Sequence, residues 1–443
     1  MGSNTATIMT LANSIIGVGV LAMPFCFKQC GIVLSILMLI LSSGLSRLAC
    51  HFLLKAAIMA RRRNFEFLAF HTFGPPGKTI VELFIIGFLM GTCIAFFVVV
   101  GDLGPAIIAK LFQLDNTASL RQVVLISLAV GIVLPLGLMR NVSSLAAICT
   151  ATIGFYLCLV FKVMAEAIPH LAANDWMDKV HFWRPAGLLQ CTPIFSMALF
   201  CQTQLFEIFE SLPNANLDKM NEVVRHAVNL CTGFYIFVGF FGYVAFFTQN
   251  FTGNILMSFT PTWASDAIKF GFVLSVAVSF PLVIFPCRAS LYSLLFRRVQ
   301  MPHETTSSHI PETRFRFLTI AIISISLTVG LITPNIELVL GLVGSTIGVL
   351  ICVMFPAVAF ICISTKSSSE RLLAQFLLFV GVLILVLGTY ATLNPTQNGD
   401  VEGQTFPPDR IDSIARMSLL PVDKAVTTIK VIDFKHPEQI EPK

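Results

Sequence analysis

Apolar runs of bilayer length recur along this chain, and nothing else limits its fold so strongly. A window matched to hydrocarbon thickness finds about eleven, at roughly 5–27, 32–59, 79–109, 121–139, 143–168, 189–211, 225–248, 264–294, 316–334, 337–362 and 371–393. Inside a bilayer every backbone amide and carbonyl needs a partner from the protein, so each run is predicted to be helical. The expected class is an all-α polytopic membrane protein. Composition agrees: 12% of the residues are charged, about half the share of a soluble domain. Spans 2, 3 and 8 are longer than a bilayer requires and are expected to tilt or protrude. Residues 1–7 carry no Lys or Arg and no cleavage site follows the first run, so that run is expected to stay as span 1. Residues 394–443 are polar and rich in Pro, Asp, Glu and Lys. They are expected to form a mostly disordered tail after a transmembrane domain of residues 1–393.

Basic residues orient the spans. The gaps after even-numbered spans hold Arg61, Arg62, Arg63 and Lys78, then Arg140, then Lys219 and Arg225, then Arg297, Arg298, Arg314 and Arg316, then Lys366 and Arg371. The alternate gaps hold Lys28, Lys110, Arg121, Lys179 and Arg184, diluted by Asp102, Asp115, Asp175 and Asp178. The positive-inside bias puts the first group and the N-terminus in the cytoplasm. Two sequons, at Asn141 and Asn250, follow the same alternation, and only the second is expected to face outward.

Span 1 contains Asn13-Ser14-Ile15-Ile16-Gly17-Val18-Gly19-Val20-Leu21-Ala22-Met23-Pro24. A helix built only to cross lipid does not need an amide, two glycines and a proline near its centre. Unwinding at Gly17 and Gly19 would free amides on one half-helix, which attract a carboxylate, and carbonyls on the other, which attract a cation. The competing reading is close helix packing through small residues. Span 6 carries Cys191-Thr192-Pro193-Ile194-Phe195-Ser196-Met197-Ala198, with a proline and hydroxyls near the matching position of a second five-span half. That pattern fits a paired broken helix or an ordinary proline kink. In span 8, Ser275 and Ser279 share one helix face. Their oxygens suit a hard monovalent cation, and serine bonding back to its own helix is the alternative.

The ionisable residues Glu82, Glu207, Glu210 and Arg288 fall toward the cytoplasmic ends of their spans. Pairing of Arg288 with a glutamate would close an inner gate, and solvated charges are the alternative. Lys162 and Glu166, four apart, are expected to pair with each other. None of these stands at mid-membrane as a proton relay would, which favours sodium over proton coupling. The twelve cysteines lack metal-ligand spacing and read as small buried hydrophobes. A Cys30–Cys191 disulfide is one pairing that their positions leave open. No HExxH, Walker A, GxGxxG after a strand or GxSxG occurs, so an enzyme is not expected. No basic face interleaved with aromatics suggests a nucleic-acid partner.

The span 1 stretch Asn13 to Gly19, with Leu21 and Met23-Pro24, resembles the first-helix signature of the amino acid/auxin permease family. Phe280-Pro281 with Ile284-Phe285-Pro286-Cys287-Arg288 resembles its eighth-helix signature. Met23-Pro24-Phe25-Cys26-Phe27-Lys28-Gln29-Cys30-Gly31-Ile32-Val33 and Gly91-Thr92-Cys93-Ile94-Ala95-Phe96 resemble the sodium-coupled neutral amino-acid branch, solute carrier family thirty-eight. The resemblance implies a five-plus-five inverted-repeat fold like that of the bacterial leucine transporter, with an eleventh helix appended and alternating access around a central site. It implies that the amides around Gly17, Val18 and Gly19 hold a substrate carboxylate, and that Phe195, Ser196 and Ala198 line the rest of the substrate. It implies a sodium site of Asn13, the Ile16 carbonyl, Ser275 and Ser279, with serine where the family usually has threonine. The expected substrates are small neutral amino acids such as glutamine, alanine and serine. Sodium is the expected coupling ion, and no other cofactor is expected. A sensor with little flux and a proton-coupled transporter remain the alternatives.

Overall fold

The computed structural model describes residues 2–62, 64–113, 115, 117–139, 146–212, 216–249, 253–296, 310–333, 335–364 and 369–394. The tail beyond Asn394, both sequon asparagines, and Arg63, Arg140, Arg297, Arg298 and Lys366 lie outside them. The described residues are helical and carry no strand. Span 1 is a bent pair, Gly2–Ile15 and Gly19–Cys30, with 60° between its halves. Spans 2 to 5 are Ile32–Met59, Phe65–Phe112, Ala118–Gly137 and Ala146–Ala173. Span 6 is again in two pieces, Leu188–Ala198 and Leu205–Ser211. Spans 7 to 11 are Leu217–Ala245, Trp263–Phe296, Glu312–Ile332, Ile336–Ile363 and Ser369–Leu393. Two halves of five spans, each led by a broken helix, are thus followed by span 11.

Ties between span ends follow the alternation expected from the sequence. Lys110 at the end of span 3 pairs with Asp266 at the start of span 8. Lys55 near the end of span 2 pairs with Glu370 at the start of span 11. The Arg121 guanidinium, at the start of span 4, donates to the Thr333 carbonyl beyond span 9 at 3.2 Å. Lys162 and Glu166 pair at 2.7 Å, and Thr260 from the loop before span 8 donates to the same carboxylate at 2.6 Å.

Span 3 departs from expectation. Its helix starts at Phe65 rather than near residue 79, and bends at Gly74, whose φ of +72° only glycine adopts easily. Pro75 and Pro76 then open the second segment, where a missing N–H costs least. Spans 4, 10 and 11 each contain a π-helical turn, at Ala129–Val133, Gly344–Gly348 and Ile384–Gly388 among others. Such turns widen a helix locally and are common near functional sites.

Span 7 braces the broken span 1. A Cβ on Gly239 would stand 2.4 Å from the Phe27 ring, and one on Gly242 would stand 2.5 Å from Pro24. These glycines, three residues apart, let the second half of span 1 lie directly on span 7. That seating fixes where the free end of the half-helix points.

Candidate functional site

The helix of span 1 ends at Ile15 because the next amides turn away. The Ile16 N–H still reaches the Ala12 carbonyl at 2.9 Å. Val20 and Leu21 then donate to Gly17 and Val18, at 3.3 and 3.1 Å, over three residues rather than four. The Ile16 carbonyl therefore receives no backbone amide among the described residues. The amides of Val18 and Gly19 also make no backbone hydrogen bond there. The first half-helix thus ends in carbonyls with partial negative charge, and the second begins in amides with partial positive charge. A Cβ on Gly17 would meet nothing within 4 Å, so open space adjoins the break. This is the arrangement expected for Gly17, and it goes beyond simple close packing of small residues.

Gly19 plays a different part. Its Cβ would stand 3.3 Å from the Cβ of Ala198, so the broken stretches of spans 1 and 6 cross there. In span 6 the helix passes straight through Pro193 and stops at Ala198. The proline is therefore not the break. Thr192 donates back to Leu188 at 2.6 Å within its own helix, which occupies its proton. The actual break, Leu199-Phe200-Cys201, contains neither Gly nor Pro and is held by side chains from elsewhere. Ser46 of span 2 donates to the Leu199 carbonyl at 2.8 Å. Fully buried Gln202 accepts from the Cys201 N–H at 3.0 Å and reaches Ser46 with its amide nitrogen at 3.4 Å. Phe195, Ser196 and Ala198 are all buried in the half-helix that leads to this break.

One residue that the sequence reading missed ties the two breaks together. The hydroxyl of Tyr235 in span 7 lies 3.0 Å from the Ile15 carbonyl and 3.0 Å from the Ala198 carbonyl. The Gly17 amide also approaches this hydroxyl. A fully buried phenol needs a polar partner, and the chain has five tyrosines against forty phenylalanines. A hydroxyl retained where Phe is the default was the available signal.

The expected ion ligands have a mixed outcome. Asn13 Oδ1 and Ser275 Oγ are both buried and lack a hydrogen-bond partner. Two unsatisfied buried oxygens fit a cation better than they fit a finished core. Ser279, however, donates to the Ser275 carbonyl at 2.9 Å, which is the back-bonding alternative. That bond uses its proton and leaves its oxygen lone pairs free to accept. No hydrogen bond joins Asn13 or Ile16 to either serine. Asn13, Ile16, Ser275 and Ser279 are the residues present that could hold a monovalent cation, and two of them carry unsatisfied oxygens.

Of the expected gate residues, Arg288 has partners in spans 4 and 9. Arg288, almost fully buried, donates to the Gly137 carbonyl and to Thr319 Oγ1, both at 2.9 Å. Its guanidinium carbon lies 3.7 Å from the centre of the Phe315 ring. These contacts turn Arg288 toward spans 4 and 9, while Glu207 belongs to the second piece of span 6. The side chain of Glu210 lies outside the described residues. Glu82 is buried, accepts from Ser293 at 2.6 Å and has Lys78 at 3.4 Å. Cys30 and Cys191 are free thiols, and Cys191 stands beside Cys26 as well as Cys30.

Comparison with known proteins gives the family and the fold. Residues 1–394 match the family described as transmembrane amino acid transporter protein. Solute carrier family 38 member 10 of Homo sapiens is 39% identical over 398 residues, covering 89% of this chain and 35% of that protein. The chain thus spans little more than a third of the length of that relative. Vacuolar amino acid transporter 5 of Schizosaccharomyces pombe is 26% identical and is covered over 92% of its length. Among solved structures, MhsT in complex with L-phenylalanine superimposes with a TM-score of 0.51 at 13% identity, covering 86% of this chain and 98% of that one. This likeness concerns the fold.

Proposed function

The chain belongs to the family of transmembrane amino acid transporter proteins, and from that premise we propose that it moves small neutral amino acids across the membrane, coupled to sodium. The observation that carries the proposal is the open space at Gly17 beside amides that make no backbone hydrogen bond. A zwitterion would place its carboxylate at the Val18 and Gly19 amides, at the positive end of the second half-helix. Phe195, Ser196 and Ala198 would bound the remainder of the substrate. A sodium ion would draw on the Asn13 and Ser275 oxygens, which have no other partner, and on the carbonyl end of the first half-helix. Both ligands would thus meet at one pair of breaks. Binding them would shift the angle of the half-helices, which is how alternating access around a central site operates.

The test is uptake into proteoliposomes. Purified protein should accumulate labelled glutamine or alanine when sodium is outside, and less when choline replaces it. Folded protein that takes up none of the standard amino acids would sink the proposal. Substrate binding without flux would instead point to a sensor, and dependence on an inward pH gradient would replace sodium with protons.

A further inference from the structure

Arg47 is an exception to the rule that the ionisable residues of this chain sit near span ends. It lies in span 2, twelve residues before Met59, and is level with Asn229, about 6 Å along span 7 from the start of that span's apolar run at residue 225. Around the helix it stands on a stripe with the exposed residues Ile40 and Ile58, at the edge of a wider exposed face that includes Leu37 and Leu41. That stripe faces lipid. A cation at such depth is costly unless something answers it. Arg47 Nη1 donates to Asn229 Oδ1 of span 7 at 3.2 Å, and Nε donates to the Ser43 carbonyl at 3.3 Å. The second bond turns the side chain back along its own helix, away from Met59, so it is not reaching for the nearer interface. Nη2 has no protein partner.

The neighbouring surface of span 7 is polar at the same end. Arg225 and His226 are exposed one turn before Asn229. His51 of span 2 meets the Asn221 amide at 3.0 Å across the same groove. Asp218 and Glu222 are the acidic members of that face of span 7, Glu222 being 3.8 Å from His226. Glu370 is occupied by Lys55, and Arg47, Lys219 and Arg225 outnumber the two acids. The groove is therefore net basic, opens toward an interface, and is flanked by bare apolar surface at Leu41, Leu230 and Phe237. A free anion would not enter hydrocarbon to reach Arg47. A lipid carries its own chains in with it.

We propose that the groove between spans 2 and 7 binds the phosphate of an anionic phospholipid in the leaflet shared by Met59 and Leu217. Arg47 and Asn229 receive the phosphate, Arg225 stands at the mouth, and the acyl chains lie along the apolar surface of the two spans. Basic pockets between membrane helices are suited to such headgroups. The position matters for the site behind it. Ser46, next to Arg47, holds the break in span 6, and Tyr235, six residues after Asn229, holds both breaks. The lipid would clamp together the two helices that support them.

The experiment uses the full chain in detergent, with phosphatidylglycerol or phosphatidylcholine of identical acyl chains. Native mass spectrometry should show one retained phosphatidylglycerol, and the melting temperature should rise more with it than with phosphatidylcholine. Arg47→Met and Arg225→Gln should each weaken retention roughly fivefold. Arg225→Gln changes only an exposed side chain, so it keeps the test open if Arg47→Met fails to fold. Glycerol 3-phosphate alone should not stabilise the protein. Equal retention of both lipids, retention unchanged in Arg225→Gln, or equal stabilisation by glycerol 3-phosphate would each overturn the proposal.

Discussion

A Cβ on Gly19 would stand 3.3 Å from the Cβ of Ala198. The broken stretches of spans 1 and 6 therefore touch where the chain has kept a residue without a side chain, while Gly17, two positions earlier, faces space. The two glycines should consequently fail in different ways. Gly19→Val forces the crossing apart and should lower the melting temperature in detergent as well as abolish uptake. Gly17→Val should fold normally and abolish uptake, because its side chain fills the place proposed for the substrate carboxylate. Unchanged uptake in Gly17→Val would remove Gly17 from the site.

Tyr235→Phe removes the one hydroxyl beside the Ile15 and Ala198 carbonyls. Leaving a buried acceptor without a donor costs about 1–3 kcal/mol. Denaturation in detergent should show that loss, and uptake should fall with it, since both breaks lose a support. A variant as stable and as active as the parent would show that neither break depends on this residue.

The coupling ion makes a paired prediction. Ser275 Oγ is buried and unsatisfied, so Ser275→Ala should stabilise the protein by about 1 kcal/mol in choline and lose that advantage in sodium. Ser279→Ala and Asn13→Ala should raise the half-saturating sodium concentration with little change in amino-acid affinity at saturating sodium. Ser279→Thr, which keeps the oxygen, should be nearly silent. Identical uptake by the parent in sodium and choline would leave these effects without a cause.

Glu82 separates the two coupling ions. It is buried and bound by Ser293 at 2.6 Å, and glutamine can accept the same bond. With sodium as the coupling ion, Glu82→Gln should fold and show the parent's pH profile of uptake. If the substitution abolished uptake driven by a pH gradient, Glu82 would be the proton carrier.

The span boundaries were legible because hydrocarbon imposes one length on every helix, and composition records it. The break in span 1 was legible because two glycines and an amide stand inside an apolar run. The position of the break in span 6 was not, for a physical reason: Leu199, Phe200 and Cys201 are ordinary residues for a membrane helix, Ser46 and Gln202 serve their backbone, and Tyr235 serves the Ala198 carbonyl just before them. Ser46 and Tyr235 are distant in sequence, and no local pattern announces them. Proline drew attention to Pro193, yet a helix can pass through a proline when neighbouring spans take up the freed carbonyl. The charge of Arg288 is plain in the sequence, whereas its contacts with Gly137, Thr319 and Phe315 come from the packing of spans 4 and 9. The start of span 3 was hidden by Gly74-Pro75-Pro76, which reads as a loop and serves instead as a bend between two helical segments.

A phenol owns a single proton, and at Tyr235 two carbonyls stand at equal distance from it. Whichever one takes the proton, the other goes without, so the hydroxyl can serve the first break or the second with the same tally of bonds. A joint of this kind is indifferent between its settings. Were one half-helix to tip away, the bond it released would find the other already placed to accept it, and the proton would at no point have nowhere to go.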